Sequence, residues 1–243
     1  MLAQGVLIIF LFTLLHETVH RTPFRSRRLN EAVGQMCGLA VFLGPRWFRM
    51  FHLAHHRYTN EAGRDPELAS PRPSTRLLYL LHLSGIPDWI GRIRGLARNA
   101  VTTNTDDFVP GDKARTVMWE ARAQLGIYAV LIGVSVAAGT TVLVSVWLLP
   151  FLIAGPSLRA YLLAEHGGCP ETFSMLENTR TTFTNPVVRF IAWNMPYHVE
   201  HHTYPAVPFH RLPDFHEHTK DHIAVSDNGY WRFNHNYLRS LRR

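Results

Sequence analysis

Histidine is the residue of this chain whose number and spacing point most directly to chemistry. The 243 residues include fifteen histidines, and imidazole is the commonest metal ligand among side chains. Spacings of three and four residues place side chains on one face of a helix, so a cluster with such spacing can direct at least two imidazoles to one point. Three clusters have it: His16-Glu-Thr-Val-His20, His52-Leu-Ala-His55-His56 and His198-Val-Glu-His201-His202.

The adjacent histidines in the second and third clusters predict two binding points rather than one. In each HxxHH pattern the neighbouring histidine can turn toward a second point, so two metal ions a few ångströms apart can share the clusters. An all-nitrogen site suits Fe, Cu, Zn or Ni, and the residues alone leave that choice open. Nine imidazoles suffice for two ions with four or five ligands each, with one position left for water or oxygen: His16, His20, His52, His55, His56, His166, His198, His201 and His202.

The other histidines carry a weaker signal. His82 is expected to be an interface or packing histidine, and five more are expected to be solvated or structural: His210, His216, His218, His222 and His235.

An alternative comes from the first cluster, which also matches HExxH, a zinc peptidase pattern in which Glu17 would be the general base. A peptidase site needs three protein ligands and a water, so this pattern explains neither HxxHH cluster. A membrane zinc hydrolase stays an alternative, as does a metal-binding or receptor protein without catalysis.

Four apolar blocks predict helices inserted in a membrane, at about residues 2–20, 31–56, 121–139 and 142–166. Residues 2–15 are uncharged but too few to span about 30 Å of hydrocarbon at about 1.5 Å each, so that helix is expected to continue through the first cluster. Leu125–Ala164 has forty residues and one charge, Arg159, which predicts two spans with a turn near residues 139–141.

A hairpin of this kind returns the chain to the face it left and so places His166 beside the first two clusters. Residues 77–97 alternate apolar runs with arginines, which predicts an amphipathic segment on the membrane surface. Arginines flank the apolar blocks and the net charge is +7, so the face that carries the histidines is predicted to be cytosolic. The fold class predicted is an all-α integral membrane protein. Residues 1–243 form one domain, with about four membrane-inserted helices and a cytosolic helical cap (167–243) that encloses a dimetal site.

Composition argues against several other classes. Cys37 and Cys169 stand far apart without a CxxC pattern, so neither a disulfide framework nor a thiolate metal site is expected. The basic residues are not interleaved with aromatic residues in the way typical of RNA-binding chains, so no nucleic-acid partner is expected. The first apolar block has no basic n-region or small-residue cleavage site and is not interpreted as a signal peptide.

The three clusters resemble the histidine boxes of the membrane fatty acid desaturase and hydroxylase superfamily, which follow the order HxxxH or HxxxxH, HxxHH, then HxxHH or QxxHH. The resemblance covers about residues 10 to 216. Asn194–Pro213 is similar to the third box and its flank, and Ala164–Gly168 resembles the segment that carries an additional histidine ligand in the bacterial acyl-lipid branch. Asp65-Pro66-Glu67, after the second box, also resembles the family.

The resemblance implies a non-haem di-iron centre whose ligands are the nine histidines above. It also implies O2 as co-substrate, two external electrons, and removal of hydrogen from an unactivated methylene of a lipid acyl chain, with no catalytic residue beyond the metal centre. A second hydrogen abstraction gives a double bond, whereas oxygen rebound gives an alcohol. The resemblance favours fatty acyl desaturation, and hydroxylation or ketolation of a lipid or carotenoid is the alternative.

The resemblance also sets expectations for partners and location. The chain lacks HPGG, the haem motif of a fused cytochrome domain, so a separate ferredoxin or cytochrome is expected to donate electrons. The bacterial branch implies the cytoplasmic membrane. Fifteen residues precede the first box, where relatives usually have a longer membrane region, so a misplaced start or a truncated or minimal member is expected. The third box begins with His198, unlike the front-end desaturases, which commonly carry Gln there.

Residues beside the histidines are candidates to support them. Glu17, Glu165 and Glu200 are sequence neighbours of ligands and can accept the second ring N–H, which would fix the tautomer. Asn194 and Tyr197 are candidates to line the site, by sequence proximity alone.

Overall fold

The computed structural model describes residues 1–103 and 106–242, most of which are helical. Two-residue strands β1 (Thr181–Thr182) and β2 (Ser226–Asp227) pair in parallel. Within the described residues thirteen α-helices follow one another: α1 (Leu2–Ile9), α2 (Leu11–His20), α3 (Arg27–Ala40), α4 (Pro45–Tyr58), α5 (Arg76–Leu83), α6 (Ile86–Val101), α7 (Gly111–Ala137), α8 (Leu149–His166), α9 (Met175–Asn178), α10 (Pro186–Ile191), α11 (His198–Thr203), α12 (Leu212–Thr219) and α13 (Tyr230–Ser240).

Three helical stretches are long and apolar enough to cross a membrane: Leu2–His20, Gly111–Ala137 and Val144–His166. The first combines α1 and α2, and the third combines α8 with the short π-helical turn that precedes it. Along α7 the outward side chains are apolar, with Val134 62% and Val136 75% exposed. Such an uncovered apolar surface fits hydrocarbon rather than water, as expected of an all-α membrane protein.

The turn predicted near residues 139–141 is confirmed. Helix α7 ends at Ala137, and Gly139 has a φ of 60°, a left-handed conformation that glycine adopts without the steric penalty other residues meet. The chain therefore reverses between the second and third candidate spans.

The predicted helix over residues 31–56 is divided in two, and the structure corrects that boundary. Helix α3 ends at Ala40, Phe42 has a φ of 59°, and α4 begins at Pro45. A proline at the first position of a helix loses no intrahelical hydrogen bond, so the chain can turn and restart there. Each piece has 14 residues, fewer than the roughly 20 that a membrane span requires.

The third apolar helix begins at Gly111 rather than at the predicted residue 121. Its first turns are polar, so hydropathy did not predict that they belong to this helix. They are nevertheless anchored, because the carboxylate of buried Glu120 accepts hydrogen bonds from the backbone N–H of Arg46 (3.0 Å) and of Trp47 (3.3 Å). Glu120 thereby caps the start of α4, and Gln35 donates to the same carboxylate at 2.7 Å.

Helices α1 and α8 cross at very close range. A Cβ atom at Gly5 would lie 2.0 Å from the carbonyl oxygen of Pro150, so only glycine permits this approach of the two backbones. The core continues beside this crossing toward the histidine clusters, and its most deeply buried apolar side chains include Leu15, Val41, Leu158, Met195, Val199 and Leu212.

The amphipathic segment predicted over 77–97 forms two helices, α5 and α6, separated at Gly85, whose φ is 69°. Leucines on α5 face outward, with Leu77 76% and Leu80 61% exposed. On α6, Arg92 turns inward and its side chain is only 8% exposed.

Candidate metal centre

Four helices deliver the nine predicted ligands, most of them from a last turn. His20 ends α2, His55 and His56 lie in the last turn of α4, and His166 ends α8. The C-terminal end of a helix carries the negative pole of its dipole, so these ends favour a bound cation. The six-residue helix α11 contributes the third cluster, and all three of its histidines are buried.

The first histidine group joins five imidazoles from α2, α4 and α11. Their ligand atoms all lie within 4.8 Å of one another, and the members are His16, His20, His52, His56 and His201. The Nε2 atoms of His52 and His56 are 2.9 Å apart. The first cluster thus meets parts of both HxxHH clusters at one point.

The second group contains His55, His166 and His202, whose ligand atoms also lie within 4.8 Å of one another. The Nε2 atoms of His55 and His166 are 3.2 Å apart. His198 lies at its edge, since its Nε2 is 3.2 Å from that of His166. The two groups are adjacent, because the rings of His56 and His202 stack with centroids 4.1 Å apart.

These distances fit ligands that share an ion. Two imidazole nitrogens, each about 2.1 Å from a metal and at roughly right angles, lie about 3 Å apart. Buried polar atoms without a hydrogen-bond partner are costly, and a bound ion would satisfy one nitrogen of each ring that coordinates it. Among the described residues the unpartnered buried ring nitrogens are His16 Nδ1, His20 Nε2, His56 Nδ1, His198 Nδ1, both nitrogens of His201, and His202 Nε2.

The clustered imidazoles favour the neutral form that a metal requires. Burial, and then repulsion from neighbouring histidines, lowers the pKa values of His52 and His56 well below 6.5. The same causes, in the same order, lower the pKa values of His201 and His202. A neutral imidazole keeps a lone pair for coordination.

Three groups outside the clusters hold the outer nitrogens of the second histidine group. Asp65 Oδ1 lies 3.0 Å from His55 Nδ1, and the Thr59 hydroxyl lies 3.2 Å from His202 Nδ1. The backbone oxygen of Asn178 lies 3.2 Å from His166 Nδ1. Each contact leaves Nε2 directed inward. The sequence pattern indicated Asp65 only as part of Asp-Pro-Glu. It did not indicate Thr59 or Asn178, for which no spacing signal exists.

Asp65 also changes the acid–base behaviour of His55. Burial lowers the pKa of His55, but Glu67 and Asp65 outweigh it and the net shift is upward. Burial raises the pKa of Asp65, but His55 and two backbone N–H groups outweigh it, and the net shift of this pKa is downward. Asp65 is therefore an anion beside this imidazole.

The three predicted supporting glutamates lie at different distances from the histidines. Glu165 Oε1 is 3.5 Å from His198 Nδ1, and Glu17 Oε1 is 3.9 Å from His201 Nδ1. Both separations exceed a normal hydrogen bond. Glu200 is fully buried and instead bonds the Thr181 hydroxyl and the imidazole of His216. His216, predicted to be solvated or structural, is thus tied to the interior beside the third cluster.

Asn194 and Tyr197, the other candidates, lie in the segment that leads into α11. The Asn194 amide donates to the carbonyl oxygen of Phe209 at 3.1 Å, and the Tyr197 hydroxyl accepts from Arg189 at 3.1 Å. Trp193 and Asn194 have φ values of 52° and 54°. This tight turn sets the direction in which α11 begins.

A large open cleft of about 1980 Å³ leads to both histidine groups. His16 and His52 of the first group line it, as do His55 and His166 of the second. Aromatic side chains form much of its apolar wall: Phe12, Phe42, Trp47, Phe48 and Phe51. An alkyl chain can lie along such a wall and bring one of its carbons to the histidines.

Comparison with known proteins agrees with this geometry. The sequence matches the profile of the family described as "Fatty acid desaturase" over residues 1–234. The chain belongs to the fatty acid desaturase family. The resemblance noted in the histidine clusters is thereby confirmed for nearly the whole chain.

Relatives of this desaturase-family chain act on different molecules, according to their names. Dihydrorhizobitoxine desaturase of Bradyrhizobium elkanii is 26% identical over 238 residues, which cover 90% of this chain and 65% of that protein. Beta-carotene 4-ketolase 3 of Haematococcus lacustris is 24% identical over 217 residues, 84% of this chain and 57% of that protein. The sphingolipid delta(4)-desaturase/C4-monooxygenase of Rattus norvegicus is 24% identical over 212 residues, 82% and 58% respectively. The chain thus spans 57% to 65% of the length of these relatives.

Proposed function

We propose that this protein is an oxygen-dependent oxidoreductase that oxidises an unactivated C–H bond of an alkyl chain at two histidine-bound iron ions. The observation that carries the proposal is the pair of adjacent histidine groups beside a cleft with an aromatic wall. Side chains alone cannot cleave an alkyl C–H bond, so a redox cofactor must supply that chemistry.

Each histidine group would hold one ion. The first ion takes His16, His20, His52, His56 and His201, and the second takes His55, His166, His198 and His202. The irons, when bound and supplied with two external electrons, activate O2 for removal of hydrogen from the substrate. The protein's own contribution is to position and to exclude: Asp65 and Thr59 orient imidazoles, and the aromatic wall of the cleft holds the alkyl chain away from water.

The arrangement in the membrane belongs to the same proposal. Beside the three candidate spans, α3 and α4 are the fourth membrane-inserted unit, and α3 forms a shallow hairpin with the first span. The segments after His166 form a cap that closes over the ions. Arginines next to the apolar helices favour a cytosolic site in the cytoplasmic membrane of a bacterium, where a separate ferredoxin or cytochrome would supply electrons.

Desaturation of an acyl chain is the reaction we favour, and hydroxylation or ketolation is the second candidate. Both kinds of enzyme occur among the relatives: two have desaturase in their names and three are beta-carotene ketolases. Product mass separates the reactions, because desaturation removes two hydrogens and hydroxylation adds an oxygen.

The zinc hydrolase alternative has less support. Its general base would be Glu17, but this side chain is 0% exposed. Its carboxylate already accepts hydrogen bonds from the Thr22 hydroxyl at 2.7 Å and from the backbone N–H of Phe209 at 3.3 Å. A general base must reach the proton that it abstracts, which this burial opposes.

Elemental analysis of protein purified in detergent without a metal-affinity tag tests the proposal. We expect about two irons per chain, the number that two histidine groups would hold. His201→Ala should lose iron and all oxidation, whereas His218→Ala, at an exposed histidine, should keep both. Zinc without iron, with hydrolysis abolished by Glu17→Ala, would establish the hydrolase instead. Oxidation or biological output that survives His201→Ala in a folded protein would also contradict the proposal.

A further inference from the structure

A second group of polar and charged side chains lines the same cleft, and its members belong to neither of the two histidine groups. Its members are His82 on α5, Asp88 and Arg92 on α6, and Arg159 on α8. Asp88 bridges the two arginines: its Oδ2 accepts from Arg92 Nε at 2.9 Å, and its Oδ1 lies 3.4 Å from Arg159 Nη1. Arg159 Nη2 lies 3.2 Å from His82 Nδ1.

The group carries an excess positive charge. Burial raises the pKa of Asp88, but Arg92 and Arg159 outweigh it and the net shift is downward, so Asp88 is an anion. Burial and Arg159 lower the pKa of His82 to about 4, which leaves it neutral at pH 7. Within the group, two guanidinium charges and one carboxylate leave a net charge of +1, and Glu67 and Glu165 act on Arg159 as weaker contributors from outside it.

This excess charge lies in sheltered, largely apolar surroundings. The side chains of Arg92 and Arg159 are only 8% and 20% exposed, and Arg159 is the one charge between Leu125 and Ala164. The Nε–H of Arg159 is buried and has no partner among the described protein atoms. A sheltered guanidinium with an unpaired donor is costly in such a place, and an incoming anion would remove that cost.

We propose that this group binds the anionic end of the substrate, and that the substrate is an alkyl chain ending in a singly charged oxyanion. The inference rests on the proposed function for its reactive end. A carboxylate or a phosphate diester supplies one negative charge, which would bring the group to neutrality, and a guanidinium pairs well with planar or tetrahedral oxyanions. A wholly apolar substrate would gain nothing from the two arginines.

The position of Arg159 also fixes a distance. Arg159 lies seven residues before His166 on α8, which is two turns and about 10 Å along the axis, on the same face of the helix. Because this separation is between backbone positions, the oxidised carbon is expected at a fixed distance on the order of 10 Å from the oxyanion. Its position counted from the anionic end should stay constant when the chain is lengthened at the other end.

Equilibrium binding to the full-length protein, in an uncharged detergent and without oxygen, tests the inference. The probes are decanoate, decyl methyl phosphate and decanol, which share a chain length and differ in the end group. The protein should bind decanoate or the phosphate diester about tenfold to a hundredfold more tightly than decanol, as expected for a hydrogen bond to a charged group. The tighter of the two anions identifies the source of the oxyanion.

Variants separate this role from a structural one. Arg159→Gln should abolish the preference for the anion and leave decanol binding unchanged, whereas Asp88→Asn should tighten anion binding, because it removes the competing carboxylate. Arg115→Gln, at an exposed arginine on α7, should change neither. Equal binding of anion and alcohol, or equal weakening of both by Arg159→Gln, would overturn the inference.

The assay requires neither iron turnover nor an electron donor. A protein that holds two irons and oxidises lipids but binds decanol as well as decanoate would refute this inference alone. A protein that prefers the anion but holds no iron would refute the proposed function and leave the anion site standing.

Discussion

Asp65 shows how one side chain outside the histidine clusters orients a predicted ligand, His55. Its carboxylate receives three donors: His55 Nδ1 at 3.0 Å, the backbone N–H of Asn60 at 2.8 Å and the backbone N–H of Glu67 at 2.9 Å. With its N–H held on Nδ1, His55 directs Nε2 toward His166 within the second histidine group. Outer partners of this kind fix both the tautomer and the ring orientation of a ligand.

Asp65→Asn is therefore expected to weaken iron binding by about 10- to 100-fold. Asparagine has one acceptor oxygen for three donors, and its NH2 group would face an N–H group. Competition with an iron chelator, followed by metal analysis, measures the loss.

Glu67→Gln is the matched control for Asp65. Glu67 is also close to His55, at 3.7 Å, but is 40% exposed and beyond hydrogen-bond distance. The Glu67→Gln protein should keep nearly all its iron. Equal iron affinity in the Asp65→Asn variant and the wild type would show that Asp65 does not position His55.

The sequence predicted the clustered histidines better than the residues that hold their outer ring nitrogens. The clusters were found because spacings of three and four are local and tied to helix geometry. The contact between Thr59 and His202 joins residues 143 positions apart, and Asn178 contributes a backbone oxygen, which any residue could supply. Neither leaves a pattern in the sequence. His216 was assigned to the solvated or structural histidines because its partner, Glu200, lies on a different element.

Helix α4, like α11, supplies histidines to both histidine groups, so its placement matters to both of them. Its start is fixed from outside by Glu120 of α7, whose carboxylate accepts the N–H groups of Arg46 and Trp47. A negative charge at a helix N-terminus is favourable, and the first N–H groups of a helix have no partner within it.

Glu120→Gln is expected to destabilise the protein by about 1–3 kcal/mol, the usual cost of leaving a buried donor without its partner. Both carboxylate oxygens are used, and glutamine offers only one acceptor. Thermal unfolding in detergent measures the change, and iron analysis shows whether the three histidines of α4 move with it.

Asp112→Asn provides the comparison for Glu120. Asp112 is another acidic residue of α7, but it is 69% exposed and paired with Lys113, so the melting temperature and iron content should not change. A Glu120→Gln protein as stable as the wild type would show that the cap contributes nothing.

The helix boundaries explain why hydropathy predicted some elements and not others. The turn at Gly139 was predicted because small residues interrupt a long apolar run. The start of α7 was missed because its first turns bury only one side and carry Glu120 inward, which lowers their hydropathy. The break before Pro45 was missed because an apolar loop and an apolar helix have similar composition.

The whole molecule brings together residues that are distant along the chain. Histidines from α2, α4, α8 and α11 converge in two adjacent groups, which the sequence predicted only through the expectation that all lie on one membrane face. The charged group on α5, α6 and α8 was not predicted, because in the sequence Arg159 stands out only as the single charge of a predicted hairpin. Spatial convergence of this kind depends on how the helices pack, and periodicity within one helix does not report it.

Metal removal should expose this dependence on convergence, with a definite pH profile. Five histidines outside the candidate spans have pKa values lowered first by burial and then by neighbouring histidines: His52, His56, His198, His201 and His202. Their stabilising effect is full above the unfolded pKa of about 6.5 and is lost as the pH falls from there toward the folded values, because the unfolded chain then binds more protons.

Thermal unfolding of chelator-treated and iron-loaded protein between pH 8 and pH 5 measures this effect. Each of these histidines contributes up to about 1.4 kcal/mol per pH unit below 6.5, so the melting temperature of the metal-free protein should fall steeply there. Iron binds the neutral imidazoles of the folded state and should raise the melting temperature at pH 8. His218→Ala should follow the wild-type curve. A metal-free protein whose stability is constant from pH 8 to pH 5 would mean that the clustered histidines are not buried in the neutral form, and the arrangement of the two histidine groups would be wrong.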